Sequence, residues 1–510
     1  MATSSEFESL RDAFAQARLA QQSWQSVSIG ERARIVARVA AKIVEQRKTL
    51  ASAIRFPMRS GYAETLSAEL LPLADTSRWL GRNAKSVLAS RTLAKSGAPM
   101  WLGAIRARVD RVPRGLVLIV GTWNYPLFLA GSQLLHALVA GNAIAIKPAP
   151  GCEEVTEKLV SLVIDCGVPK ELIVLLESSI QAGQAAMAVG VDHVVMTGSS
   201  NSGRRIIEQS SSKLTSTTLE LSGCDSVFVL PSADLDRVAD LMRFGLRLNG
   251  GSTCIAPRRV FVPDGVHDAL VAKLLGRLQD PVQRDWRTSI TPDTMSKLQQ
   301  AVAEATSLGA KLLVPWERGG GEPHPSDQGS GQDGSSGGPR WVSTGQIVVA
   351  GIRPEMRLYS MEVFAPLLML VGVRDLSQAI DWNRKCPYAL GATIFGRGKD
   401  AQELAKSITC GVVSINDLVV PTADPRLPFG GRGESGFGVT RGVEGLLDMT
   451  VPRAISERKG NWLPHKELPQ EGDEQILDGL LQFQHGKDWW ARLAGLRTIF
   501  GNLQTRTRKK

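Results

Sequence analysis

Long apolar runs are missing from this 510-residue chain, and none approaches the roughly 18 residues that a membrane-spanning helix needs. Cysteine is scarce and scattered. Cys152, Cys166, Cys224, Cys254, Cys386 and Cys410 include no two at metal-ligand spacing, which argues against a metal centre and a disulfide-stapled secreted domain. The opening residues, Met-Ala-Thr-Ser-Ser-Glu-Phe-Glu, lack the positive region and apolar core of a secretion signal, so a cytoplasmic protein is expected. Basic residues outnumber acidic ones, 60 against 50, for a net charge of +10. Zinc-finger spacing, an RNA-binding aromatic signature and a recognition-helix pattern are all absent beside that charge. The excess therefore reads as a basic enzyme surface with no nucleic-acid partner.

What is present is ordinary for a globular chain: 43% apolar and 22% charged residues. The length implies two or three domains. From Glu6 to about Lys95 apolar residues recur at three- and four-residue spacing, through Ile35, Val36, Val39, Ala40, Ile43 and Val44, which predicts helices. Residues 104–109 alternate, as in a strand with one wet face. Leu116–Val120 is a continuous apolar run, the mark of a strand covered on both faces. Similar runs at Ala143–Ile146, Ile173–Leu176 and His193–Met196, with helical stretches between, predict a doubly wound α/β domain. A second series follows, with strands at Ser226–Leu230, Arg259–Val262, Leu367–Val373 and Gly411–Ile415. Residues 318–339 are rich in Gly, Ser and Pro, and predict a surface loop with no catalytic part.

Four stretches carry chemistry. Asn249-Gly-Gly-Ser-Thr-Cys254-Ile-Ala-Pro257 sets a cysteine after a glycine-rich turn, weak evidence alone because free cysteine is commonly a small buried hydrophobe. Thr218-Leu-Glu220-Leu-Ser-Gly223 ends an apolar segment in a carboxylate, far enough from Cys254 for a helix to return the chain to the same edge. Gly121-Thr-Trp-Asn124-Tyr-Pro126 follows a buried strand, where sites form in parallel sheets, and its asparagine amide suits an oxyanion. Gly141-Asn-Ala-Ile-Ala-Ile-Lys147-Pro148 is a buried strand ending in lysine, placed either to contact ribose or phosphate or to snorkel to solvent.

Together with Thr197-Gly-Ser-Ser-Asn-Ser-Gly203, Met361-Glu362-Val-Phe364-Ala-Pro366, Pro428-Phe-Gly-Gly431 and Ser435-Gly436, these stretches resemble the aldehyde dehydrogenase superfamily over roughly residues 15–455. The form is most similar to the class 3, fatty-aldehyde-type branch. The resemblance implies two doubly wound α/β domains plus a small β bridging and oligomerisation element. It divides the chain into a dinucleotide-binding domain at 1–94 and 114–221 and a catalytic domain at 222–432. Bridging segments follow at 95–113 and 433–460, and a tail at 461–510. It further implies Cys254 as nucleophile with a lowered pKa, Glu220 as general base and Asn124 as oxyanion donor. NAD or NADP would be held by Lys147, Trp123, the turn Thr197, Gly198, Ser199 and Gly203, and by Glu362 and Phe364. A homodimer and an aldehyde substrate are implied too.

This sequence departs from the family pattern at three points. Pro150 stands where a glutamate often pairs with the adenosine ribose, which leaves NAD and NADP both open. Ser252 replaces a common glutamine in the cysteine loop, and Ser222 a common glycine beside Glu220. Two other readings compete: a CoA-acylating enzyme, against which Glu220 argues, and a non-catalytic homologue. Beyond about residue 460, Trp489, Leu493, Leu496 and Phe500 share one helical face beside many basic residues. That pattern suits either a membrane interface or docking on protein.

Overall fold

The computed structural model describes residues 4–507 except 60, 95, 97, 100, 101, 103, 104, 281–283, 316–340, 460–462, 464, 465 and 467–469. The Gly/Ser/Pro-rich stretch 318–339 lies outside the described residues. The chain divides into two compact units, one of Met1–Ala89 and Arg111–Val451, the other of Ser90–Asp110 and Pro452–Lys510.

The larger unit holds two sheets. In the first, the spatial order is Gly436–Phe437, Ser216–Leu221, His193–Gly198, Leu116–Val120, Ala143–Lys147, Ile173–Leu175. All pairs are parallel except the outermost, where Gly436 faces Glu220 across an antiparallel pair. Leu116–Ile119 and Ala143–Lys147 are buried because helices cover both faces. One of these, Phe128–Ala140, is buried all round and ends at Gly141 in the left-handed region at φ 97°. The Arg32 guanidinium closes that end, its Nε donating to Val139 O at 3.0 Å. On the amino-terminal helix Ile29–Ser52 the apolar face is buried as its periodicity predicts, except Val44, which is 56% exposed.

The second sheet has seven strands in the order Lys311–Val314, Ile347–Ala350, Leu367–Val373, Pro257–Pro263, Asp225–Val229, Gly391–Phe395, Val412–Ile415. It is parallel except at the Lys311–Val314 edge. Three of these strands escape sequence patterning: Lys311–Val314, Ile347–Ala350 and Gly391–Phe395. They are three to five residues of true pairing, too short for a period to register.

The smaller unit carries most of a three-stranded sheet of Arg91–Thr92, Ile105–Pro113 and Thr450–Arg458, and a pair of helices, Asp473–His485 and Trp489–Thr507. The helices touch at Gly479 and Gly495, where a Cβ on Gly495 would lie 2.5 Å from Gly479 O.

Gly436 holds the register of the strand that bears Glu220. It sits at φ 90°, and a Cβ there would lie 2.0 Å from Leu219 O. Gly436→Ala is expected to cost at least about 1–3 kcal/mol and to lower the denaturation midpoint. An unchanged midpoint in chemical unfolding would remove this account.

Candidate active site

Numbered along the chain, the parallel strands of the first sheet lie in the order 5-4-1-2-3, so the winding reverses between Leu116–Val120 and His193–Gly198. Crevices for ligands open at such a reversal, beyond the carboxyl ends of the strands. A cavity of 540 Å³ lies there, lined by Gly121 and Thr122 after one strand and Thr197–Ser199 after the other. A second cavity, of 320 Å³, meets it. Cys254, Glu220 and Leu129 line both, so the thiol and the carboxylate sit at the junction.

Cys254 follows a backbone that most residues cannot adopt. Asn249, Gly250 and Gly251 lie at φ 49°, 61° and 74°. A Cβ on Gly251 would come within 2.5 Å of Ala365 O, so glycine is needed there for space as well as for torsion. Arg258, fully buried, then ties Gly251 O to Ala365 O and Leu367 O.

Asn124 is brought directly against this loop. Its Nδ2 donates to Ser252 O at 2.9 Å, and its Oδ1 accepts from Thr122 Oγ1 at 2.9 Å and Tyr125 N at 3.1 Å. In return Asn249 Nδ2 donates to Asn124 O at 2.9 Å, and the Tyr125 and Thr253 hydroxyls share a bond of 2.5 Å. The oxygen of the Asn124 amide is thus pinned as acceptor, which fixes its NH₂ toward the nucleophile loop.

Glu220 is 3% exposed. Its Oε2 accepts from Thr440 Oγ1 at 2.6 Å, while Oε1 has no donor among the described residues. Burial pushes its carboxyl above the usual range, opposed by the Arg441 guanidinium and the Thr440 hydroxyl. Burial also pushes the Cys254 thiol well up, helped by Glu220 and Asp225 and opposed by Arg441 and the Ile255 backbone. The lowered thiol pKa expected from the sequence is therefore corrected: the resting site favours the thiol. A nearby proton acceptor must take its proton as it reacts.

On the larger cavity's other walls stand Trp123, Thr197, Gly198, Ser199, Glu362 and Phe364. Trp123 packs on Phe364 with ring centroids 5.6 Å apart. Tyr388 O–H donates to Glu362 Oε2 at 3.5 Å. Ser199 caps the helix Ser200–Ser211 by accepting from Ser202 N at 3.3 Å, so the turn presents a helix start to the cavity. Ser222, the departure noted beside Glu220, donates from its backbone N to Gly198 O at 3.0 Å and links the base's strand to that turn. An anion-binding helix start, a carboxylate for ribose hydroxyls and aromatic walls suit a dinucleotide.

Two expected contacts are not at the cavity wall. Lys147, 7% exposed, turns its ammonium to Ser178 O at 2.6 Å and Pro148 O at 3.0 Å. Gly203 lies inside the helix, where its missing Cβ makes room for Leu221 Cδ1, which a Cβ would approach at 2.7 Å. Pro150 does line the cavity.

Sequence reasoning missed three supports. Arg441, 4% exposed and at φ 62°, stacks on Phe429 at 4.4 Å and Phe128 at 5.3 Å beside Glu220 and Cys254. Arg59 donates to Glu69 Oε1 at 2.8 Å and to Asn124 O at 3.0 Å. Glu69, wholly buried in a short π-helical stretch, accepts from Phe128 N at 2.7 Å through Oε2. None has a local signature; only Glu69's π-turn matches a known tendency of functional sites.

These charges give a directional test. Alkylation of Cys254 by a neutral reagent should show a pH midpoint above the ordinary thiol value of about 8.5. Glu220→Gln should lower that midpoint and Arg441→Met should raise it, read from inactivation rates across pH. Shifts of the opposite sign would contradict the assigned electrostatics.

The aldehyde dehydrogenase family model matches residues 2–455. A 4,4'-diapolycopene aldehyde oxidase from Methylomonas sp is 28% identical over 477 residues, 91% of this chain and 85% of the relative. A Mycobacterium tuberculosis aldehyde dehydrogenase complexed with NAD+ superposes with a TM-score of 0.78 at 23% identity, covering 90% of this chain and 92% of that one. An E. coli NADP-dependent enzyme gives a TM-score of 0.77 at 22% identity, covering 89% and 91%. The matching fold, the cysteine and glutamate at one junction and the family match over most of the length lead to one conclusion: this chain belongs to the aldehyde dehydrogenase family, NAD(P)-dependent enzymes that oxidise aldehydes.

Proposed function

We propose that this chain oxidises apolar, medium to long aliphatic or aromatic aldehydes, entering through the 320 Å³ cavity. The observation that carries this reading is the lining of that cavity: Phe128, Phe244, Leu248, Ile255, Val419 and Phe429 are apolar, and Glu220 and Arg441, both at the reacting end, are its charged members. A substrate tail thus meets hydrocarbon, whose burial gains roughly 0.8 kcal/mol per CH₂. The relative from Methylomonas, named as a 4,4'-diapolycopene aldehyde oxidase, points the same way.

Cys254 Sγ adds to the carbonyl carbon, and Glu220, whose burial raises its affinity for protons, takes the thiol proton. Asn124 Nδ2 and the Cys254 backbone N–H donate to the developing oxyanion. Bound NAD(P), in the larger cavity, supplies the acceptor for the hydride that leaves the carbonyl carbon. Once Glu220 has passed that proton to solvent, the resulting thioester on Cys254 is hydrolysed by a water that Glu220 deprotonates through Oε1, which has no donor among the described residues. Glu362 and Phe364 would hold the nicotinamide ribose and ring, and the Thr197–Ser199 turn the pyrophosphate. Lys147 gives two of its three ammonium protons to carbonyls, which leaves the third for the adenosine ribose.

Cys254→Ala should abolish oxidation, and Asn124→Ala should lower kcat by about 10²–10³. With Glu220→Gln both acylation and hydrolysis should slow, and the acyl-enzyme that does form should persist, visible by intact mass. Aldehydes of increasing chain length, offered with NAD and with NADP, should show kcat/KM rising with length. A flat profile, or preference for an aldehyde ending in a carboxylate, would overturn the substrate class. Acyl-CoA formed in place of acid would favour the acylating reading.

The helical tail extends this reading to a lipid surface. Leu477, Leu481, Trp489, Trp490 and Phe500 are each more than half exposed, with Lys487, Arg492 and Arg497 nearby. No helix among the described residues is long and apolar enough to cross a membrane; the reading is of an interfacial contact. The full chain should float with anionic vesicles while a chain ending at Gly460 stays behind; equal flotation of both removes the idea. The homodimer follows the family resemblance, and light scattering of the 55.0 kDa chain checks it.

A further inference from the structure

The apolar 320 Å³ cavity carries a cation in its wall. Arg441 lines it beside Cys254 and Glu220, and is 4% exposed. Its guanidinium packs on two rings that line the same cavity, 4.4 Å from the centroid of Phe429 and 5.3 Å from that of Phe128. Among the described residues its one hydrogen bond runs from Nη1 to a carbonyl, Thr422 O, and it forms no ion pair. Nε–H is buried without an acceptor. Glu220 gives its Oε2 to the Thr440 hydroxyl instead.

A buried guanidinium that meets no anion is costly. Its backbone is held at a cost too. Arg441 lies at φ 62° and Gly442 after it at φ 65°, and the left-handed region is uncommon for a side chain as long as arginine. Such strain gathers at ligand clamps. The pairs Phe429 N to Thr440 O, at 2.8 Å, and Thr440 N to Phe429 O, at 2.7 Å, fix the turn from which the side chain departs. An anion with an apolar tail therefore fits this cavity: hydrocarbon for the tail, an unanswered cation for the head.

We propose that Arg441 anchors a carboxylate in this cavity, so that it retains the acid product and admits other acids with apolar tails in competition with the aldehyde. Hydrolysis of the thioester on Cys254 leaves the new carboxylate where the carbonyl stood, at the end of the cavity that Cys254 and Arg441 share. The guanidinium donates to that carboxylate, a charge-assisted bond that the neutral aldehyde does not receive. Product and substrate thus differ in affinity at one residue. The inference rests on the reading of this cavity as the channel for an apolar tail.

The test is protection of Cys254 from iodoacetamide in the full-length protein at neutral pH, by octanoate and by octanamide. The two share tail and shape and differ in charge, and each protein is referred to its own unprotected rate. Octanoate should halve the rate at a concentration about tenfold below that of octanamide, and Arg441→Met should bring the two within about twofold. Arg441→Lys should keep part of the preference. Equal protection by the two in the wild type overturns the anchor and leaves the tail reading intact, even if Arg441→Met fails to fold. A preference for octanoate that survives in Arg441→Met overturns it as well. Acetate as protective as octanoate, with acetamide inert, would uphold the anchor and overturn the tail reading instead. Protection by none of the four overturns both.

Discussion

The candidate active site is built on one reciprocal clasp between two loops. Asn124, at the end of a strand of the first sheet, donates to the cysteine loop; Asn249, at the head of that loop, donates back to Asn124 O. The Tyr125–Thr253 hydroxyl bond closes the same seam. The two loops follow strands of different sheets, and the clasp fixes their spacing. An oxyanion donor must lie within hydrogen-bonding distance of where charge develops, and displacement of about 1 Å can cost about 10² in rate. Arg59 and Glu69 brace the clasp from behind, one on Asn124 O and the other on Phe128 N.

Burial explains the electrostatics of the junction so fixed. Cys254, Glu220 and Glu69 are all pushed up chiefly by burial, Glu69 to about 7, and the two cations that answer them, Arg441 and Arg59, are themselves nearly buried. In such a place a thiol and a carboxylate cannot both stay charged. The Cys254 thiol and the Glu220 carboxylate both stand where the two cavities meet.

Much of the scaffold was legible from residue order alone. Unbroken apolar runs such as Leu116–Val120 and Ala143–Ile146 became buried parallel strands, and helical spacing along Ile35–Ile43 became a buried face, because both periods are local geometry. The Cys254 loop was legible by its glycines, Gly250 and Gly251, both at positive φ, while Glu220, inside the strand Ser216–Leu221, and Asn124, after Leu116–Val120, were legible through motifs in the family's order. Short strands such as Ile347–Ala350 were not, since their pairing is made by neighbours distant in sequence. Nor was Arg441, the Arg59–Glu69 brace, the turning of Lys147 toward carbonyls, or the rise of the Cys254 thiol. Each depends on which groups packing brings within a few ångströms and on how much water it removes. Desolvation is a property of the folded whole, so only the tertiary structure decides it.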